Sequence, residues 1–419
     1  MSVRPAASTL TGVGLRGLGA RTFHSLRRYP DFRVLWIGNV GTMLGQWVQF
    51  AAQGYLVFHL TGSPFQVGAV GFVSGFSSLV TSPFAGLVTD RVSRRAVLMW
   101  VTGASATIAV TLAVLVATDV ISIWMLYPIA ALEGVTAAIG QPARQVMVYD
   151  VVENEDLANA VAINSLGANT MRIVGPSLAG ALIAVWGVEA AFVLQAAAYA
   201  LSLGFTARIR TRGEPSGAVT TSVLRSMADG ITYAAGHREV MLLVVMAGIP
   251  ALFVYPYVQY IPVFAEDVLG VGSVGFGMLA SAVGYGSIVG AILAANLTNI
   301  RRRGLVLIWT TVIYQALVTV FALSSAYWLS FSVLVVAGIA NSTYLMLNQV
   351  MLQLTVDDEY RGRVLSLYVM VNGITPFSAL LMGALIDAFG AQVVVAIFTG
   401  AATCMVALLG LGSHRLRTM

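Results

Sequence analysis

NSLGANTMRIVGPSLAGALIAVWG, residues 164–187, is the stretch on which the fold turns. It is long enough for a helix to cross a bilayer, which takes about 20 apolar residues. Arg172 lies inside it, followed by Gly175 and Pro176. A guanidinium at bilayer depth costs about 2.5–3.5 kcal/mol even on insertion scales, so Arg172 is expected to face a protein interior and to have a partner. Gly175, Pro176 and Gly180 predict a bend and a pliable seam, because proline removes a backbone donor and glycine admits a close neighbour.

The rest of the chain repeats this character. Of 419 residues, 58% are hydrophobic and 10% charged, and the mean hydropathy is +0.84, which excludes an ordinary water-soluble domain. Apolar stretches fall at 34–58, 65–88, 96–117, 121–143, 161–186, 189–207, 240–264, 273–296, 304–325, 328–352, 363–387 and 391–411. They predict an all-α polytopic membrane protein with twelve transmembrane helices. Cys404 is the lone cysteine, and His24, His59, His237 and His414 are scattered. No disulfide, metal site or cofactor is therefore expected. Neither a phosphate-binding loop nor a zinc-binding histidine pair is present, so no enzyme and no nucleic-acid partner is expected.

All 23 basic residues are arginine, and they alternate between turns. Six lie before residue 34, and others mark the 2–3 turn, the 4–5 turn, the 6–7 connector, the 8–9 turn (Arg301, Arg302, Arg303), the 10–11 turn (Arg361, Arg363) and the tail (Arg415, Arg417). The opposite turns have none, which by the positive-inside rule predicts both termini in the cytoplasm of a bacterial inner membrane. The amino-terminal segment shows no cleavable signal pattern, so the first span is expected to act as an uncleaved anchor. The expected division is a cytoplasmic segment 1–33, a six-helix half 34–207, a linker 208–239, a second six-helix half 240–411 and a cytoplasmic tail 412–419. Within the linker, Val223 to Ala235 reads as an amphipathic helix lying on the membrane surface.

Short repeats support the halves. Gln145-Val146-Met147 recurs as Gln349-Val350-Met351, each followed by an acidic cluster (Glu153 to Asp156; Asp357 to Glu359), and Gly180-Ala181-Leu182-Ile183 recurs as Gly383-Ala384-Leu385-Ile386. Two repeated halves with a site between them are a common carrier plan.

Three sets of residues carry a family resemblance. Gly86-Leu87-Val88-Thr89-Asp90-Arg91-Val92-Ser93-Arg94-Arg95 resembles the cytoplasmic signature loop of the major facilitator superfamily, with Ser93 at a glycine position. Gly175-Pro176-Ser177-Leu178-Ala179-Gly180 resembles the fifth-helix signature of its exporters. Tyr29-Pro30-Asp31-Phe32-Arg33, Leu60-Thr61-Gly62-Ser63-Pro64, Gln141-Pro142-Ala143-Arg144-Gln145 and Tyr360-Arg361-Gly362-Arg363-Val364 are similar to the enterobactin-exporter-like branch, the transmembrane secretion effectors. The resemblance implies the major facilitator fold, two pseudo-symmetric six-helix halves, and a carrier that expels drugs, macrolides or siderophores against protons. It also implies a cytoplasmic gate of Gly86, Asp90, Arg91, Arg94, Arg95 and Arg144. Ala130-Ala131-Leu132-Glu133-Gly134 departs from the R-x-x-Q-G of related antiporters, with no arginine and a glutamate for the glutamine.

Glu133 and Arg172 each lie about ten residues, or about 15 Å, from the cytoplasmic end of consecutive spans. Their spacing predicts an ion pair, either a static staple or a proton-responsive pair that frees Arg172 for substrate. Asn39, Gln46 and Gln53 repeat every seven residues on one face of the first span, joined by Gln49 and Phe50. With Asn169 they predict one wall of a substrate cavity, although interhelical bonding explains the amides as well. Tyr255, Tyr257 and Gln259 on a proline-broken seventh span, and Asn341, Tyr344 and Asn348 on the tenth, predict the other wall. The expected function is an alternating-access, proton-coupled exporter of amphiphilic small molecules, monomeric in the lipid bilayer. The alternatives are an importer or facilitator of a nutrient or lysolipid, and a silent membrane scaffold.

Overall fold

The computed structural model describes residues 24–213, 223–296 and 302–418. Twelve helical segments run in succession: α1 Pro30–Thr61, α2 Pro64–Arg91, α3 Arg94–Ala117, α4 Ile123–Val151, α5 Leu157–Trp186, α6 Val188–Arg208, α7 Arg238–Phe253, α8 Gly272–Asn296, α9 Arg303–Leu323, α10 Tyr327–Thr355, α11 Arg361–Asn372 with Thr375–Phe389, and α12 Ala391–Gly412. Among the described residues, ten helices are by length and composition able to cross a membrane. The other two are α1, diluted by Asn39, Gln46, Gln49 and Gln53, and α11, interrupted between Asn372 and Thr375.

The packing repeats with a period of six helices. In the first half α1 packs on α5 and α6, α2 on α4, and α3 on α4 and α6; in the second, α7 packs on α11 and α12, α8 on α10, and α9 on α10 and α12. Glycine sets the close pairs in both halves. A Cβ on Gly134 of α4 would collide with the Ser74 carbonyl of α2, and one on Gly338 of α10 with the Val283 carbonyl of α8.

The repeated acidic clusters dock the segment that precedes each half. Arg28 pairs with Glu153 at 3.0 Å and with Glu155 and Asp156 at 2.8 Å. In the second half Tyr233, on the helix Val223–Gly236, donates to Asp357 at 2.9 Å and stacks on Tyr360 with ring centroids 4.5 Å apart. One face of that helix, with Gly230, Tyr233 and Ala234, is thus buried against the protein, while Ile231 is exposed. The expected stretches 1–23, 214–222 and 297–301 lie outside the described residues.

The halves meet along two seams, α5 with α8 and α2 with α11. A Cβ on Gly180 would lie 2.5 Å from the Ser273 carbonyl oxygen and 2.7 Å from Gly277 Cα; one on Gly383 would lie 2.8 Å from the Pro64 carbonyl oxygen. Asp387 accepts from Ser63 Oγ at 2.9 Å and from the Phe65 amide at 3.2 Å, where α2 begins. Hydrogen bonds and ring contacts join the halves from the end opposite the termini to mid-helix, Ser281 with Ile173 and Phe76 with Phe377 among them. The structure is closed at the end remote from its termini.

Candidate functional site

A cavity of about 400 Å³ lies between the halves. From α1 it takes Gln46, Gln49, Phe50, Gln53 and Val57, and from α4 Glu133, Thr136, Ala137, Gln141 and Arg144. Both sets recur at helical spacing, so each helix presents one continuous, mainly polar face to the cavity. The opposite wall holds Val258, Gln259 and Pro262 of the seventh span, Phe276 and Ala280 of α8, and Pro376 of α11. Gln259 reaches it because the prolines of that span break α7 into a tighter turn, Tyr255–Tyr260, followed by Ile261–Val263 and a wide turn, Phe264–Val268. Gly71 leaves room for the Gln259 amide.

Glu133 is 8% exposed, and its Oε1 has no hydrogen-bond partner among the described residues. The amides of Gln53 and Gln49 face its carboxyl group. Gln53 Nε2 and Gln259 Oε1 are likewise buried without partners among the described residues, so three unsatisfied polar atoms converge on one cavity. Gln49 is held from behind: its Oε1 accepts from Gln195 Nε2 at 2.9 Å and from the Tyr199 hydroxyl at 3.3 Å.

The expected ion pair is not formed. Among the described residues no ion pair within 4.0 Å includes Glu133 or Arg172. Consecutive helices α4 and α5 are not packing neighbours over their length: α4 lies on α2 and α3, and α5 on α1 and α8. Arg172 instead sits over the Trp47 ring of α1, 5.5 Å from its centroid, a cation–π contact worth about 2 kcal/mol when desolvated. The glycines of the expected bend lie at close helix contacts. α5 runs helical through Pro176, and a Cβ on Gly175 would lie 2.5 Å from Trp47 Cβ, so these glycines bring α1 and α8 close.

The expected cavity wall divides. Gln46, Gln49, Phe50, Gln53 and Gln259 line the cavity. Asn39 does not: it donates to Asn164 Oδ1 at 3.2 Å and ties α1 to α5. Asn169 is exposed and outside the lining. Tyr255, Tyr257, Asn341, Tyr344 and Asn348 pack within the second half instead, because that half closes around the broken α7. There the Tyr344 hydroxyl donates to the Met246 carbonyl at 3.1 Å, Asn348 Nδ2 donates to the Leu243 carbonyl at 3.2 Å, and Tyr255 donates to Asn341 Oδ1 at 3.4 Å.

The expected gate divides as well. Arg94 Nη1 donates to both oxygens of Asp150 at 2.8 Å, joining the signature loop to the end of α4. Arg95 donates to the Ala207 carbonyl at 2.8 Å. Arg91 is exposed, Gly86 lies in the last turns of α2, and the side chain of Asp90 lies outside the described residues. Arg144 is not at a turn, since α4 continues to Val151; it is buried and lines the cavity.

The model of a family described as transmembrane secretion effector matches residues 21–419. The chain belongs to that family. This secretion effector is 24% identical over 368 residues to the staphyloferrin A transporter of Staphylococcus aureus (strain NCTC 8325 / PS 47), covering 83% of this chain and 87% of that one. It is 22% identical over 348 residues to the enterobactin exporter EntS of Escherichia coli O1:K1 / APEC, covering 83% of each. The crystal structure of a variant of the nucleoside transporter NupG superposes with a TM-score of 0.75 at 13% identity, over 91% of this chain and 99% of the other, a likeness of fold. This secretion effector is thus a multi-pass membrane transporter with the major facilitator fold.

Some residues of the candidate site were not anticipated. Asp150 is the partner of the signature-loop arginine, and its signal was available as the acidic residue nearest the fourth span's end. Tyr199 reaches the cavity from α6, whose inward face no charge marks, and Gln141 lies between Glu133 and Arg144 on the lining face of α4.

Proposed function

We propose that this secretion effector is a proton-coupled exporter of amphiphilic small molecules, siderophores, macrolides and other drugs among them, working by alternating access. The observation that carries the reading is Glu133: a carboxyl group nearly removed from solvent, in a cavity between the halves, with no cation at ion-pair distance among the described residues. Such a group is neutralised by a proton or by a substrate group that replaces it. Two occupants that exclude each other are the requirement of antiport. The mixed lining of amides, Phe50, Phe276 and Pro262 suits molecules with apolar and polar faces. The names of the staphyloferrin A and enterobactin relatives favour siderophores.

With both termini cytoplasmic, as the arginine distribution indicates, the closed seams face outward, as in a carrier that loads from the cytoplasm. A single chain suffices, since one chain builds the whole cavity. Direction is tested in whole cells loaded with a macrolide or an iron-free siderophore, with and without an uncoupler. Export gives higher retention once energy is removed, relative to cells lacking the protein; an importer gives lower retention and overturns the reading.

A further inference from the structure

Glu133 shares its cavity with a second ionic group. Arg144 lies eleven residues further along α4, three helical turns and about 16 Å of rise, so both side chains project from one face but are too far apart to pair. Arg144 is 9% exposed and lines the cavity. Among the described residues its guanidinium has no carboxylate within 4.0 Å and no hydrogen-bond acceptor. Arg94, two turns beyond the cavity, shows the contrast, since it is held by both oxygens of Asp150.

The guanidinium of Arg144 folds back along its own helix onto Gly140. A Cβ on Gly140 would lie 2.8 Å from Arg144 Nη2, 3.3 Å from its Cζ and 2.7 Å from Val101 Cγ1 of α3. Glycine thus leaves a seat for the fork that any side chain would occupy. A buried cation without a counterion is costly, and the cost is offset when an anion occupies the space beside it. Here that space is the cavity of about 400 Å³, within the usual range of small-molecule sites. The fork matches the two oxygens of a carboxylate, while Phe50, Phe276 and Pro262 line the same cavity and suit an apolar body. At the other end of the polar face, Glu133 Oε1, Gln53 Nε2 and Gln259 Oε1 lack partners among the described residues.

We infer that Arg144 is the anion-binding group of the cavity and that the molecules carried are amphiphilic carboxylates, with the carboxylate at Arg144 and a hydrogen-bonding group toward Glu133, Gln53 and Gln259. The inference rests on the transport reading and names the class of its cargo. It gives the two ionic groups separate tasks: Arg144 recognises the substrate, and Glu133 handles the proton.

The test is calorimetric binding of 2-naphthoate and its neutral amide, 2-naphthamide, to the purified full-length protein in detergent at neutral pH. The expected result is binding of naphthoate about tenfold or more tighter than of the amide. Arg144→Gln abolishes that preference and Arg144→Lys keeps part of it. Gly140→Ala, which displaces the fork and keeps its charge, reduces it. Arg172→Gln, at a position outside the cavity lining, retains it in full. Equal binding of the two probes by the parent protein overturns the inference, as does a preference that survives Arg144→Gln in a monodisperse sample or one lost in Arg172→Gln alone. Should Arg144→Gln not fold, an unchanged preference in both Arg144→Lys and Gly140→Ala overturns it. No pH gradient enters the measurement, so failure of the coupling reading leaves its result standing, and the converse holds.

Discussion

Gly180→Ala adds a methyl group where the seam between α5 and α8 has no space for one. Its Cβ would lie 2.5 Å from the Ser273 carbonyl oxygen, 2.7 Å from Gly277 Cα and 2.9 Å from the Gly277 amide nitrogen. These are backbone atoms, so no side chain can rotate away, and restoring ordinary contact at about 3.5 Å moves the helices apart by about 1 Å. Overpacking of this kind costs about 1–3 kcal/mol, and only while the seam is closed. The gain in helix propensity from alanine, about 1 kcal/mol, applies in both conformations and cancels. The equilibrium therefore shifts about 5- to 150-fold away from the form closed at this end. Spin labels at Thr118→Cys and Ser325→Cys, on exposed turns of opposite halves at that end, report the change by pulsed electron resonance once Cys404 is replaced by serine. A longer-distance population must grow in Gly180→Ala. Gly204→Ala, where a Cβ meets nothing within 4 Å, must leave the distribution unchanged. An unaltered distribution in Gly180→Ala, or the same change in both variants, refutes the seam as a steric closure.

Two further outcomes follow from named contacts. Asp387→Ala removes the acceptor for Ser63 and for the Phe65 amide of α2; at about 1 kcal/mol for an exposed hydrogen-bonded pair, the same labels report a shift of about fivefold, at the low end of that for Gly180→Ala. Breaking the Arg94–Asp150 pair, with side chains 10% and 20% exposed, lies between the surface and buried limits and costs about 1–3 kcal/mol; chemical unfolding of Arg94→Gln, Asp150→Asn and the double variant gives a clearly non-additive cycle, and additivity contradicts the contact.

The architecture was legible in the sequence because it rests on coarse signals. Runs of apolar residues and the alternation of arginine set the spans, and the repeat at Gly180 and Gly383 pointed to halves that the packing of the helices reproduces. The seven-residue repeat of Gln46 and Gln53, with Gln49 and Phe50 beside them, pointed to the cavity wall that these residues line, whereas Glu133 was legible only as an intramembrane charge. Partnership was not legible. Glu133 and Arg172 lie on helices adjacent in sequence, but the major facilitator arrangement places α4 against α2 and α5 against α1 and α8, and no local pattern encodes that choice. The same reason sent Asn39 to Asn164 and kept Tyr344 and Asn348 inside the second half. Arg144 misled because a charge was read as the end of a span, whereas α4 continues for two more turns and carries it into the cavity wall.

The role of Glu133 is tested most directly in everted membrane vesicles, where an imposed pH gradient, acid inside, drives uptake of an exported compound. Wild-type vesicles are expected to accumulate it and to release it when nigericin collapses the gradient. Glu133→Gln, which keeps the shape of the side chain and removes its proton chemistry, is expected to bind the compound but to show no gradient-driven accumulation. Accumulation by Glu133→Gln at the wild-type rate, with the same dependence on the gradient, contradicts coupling through this residue.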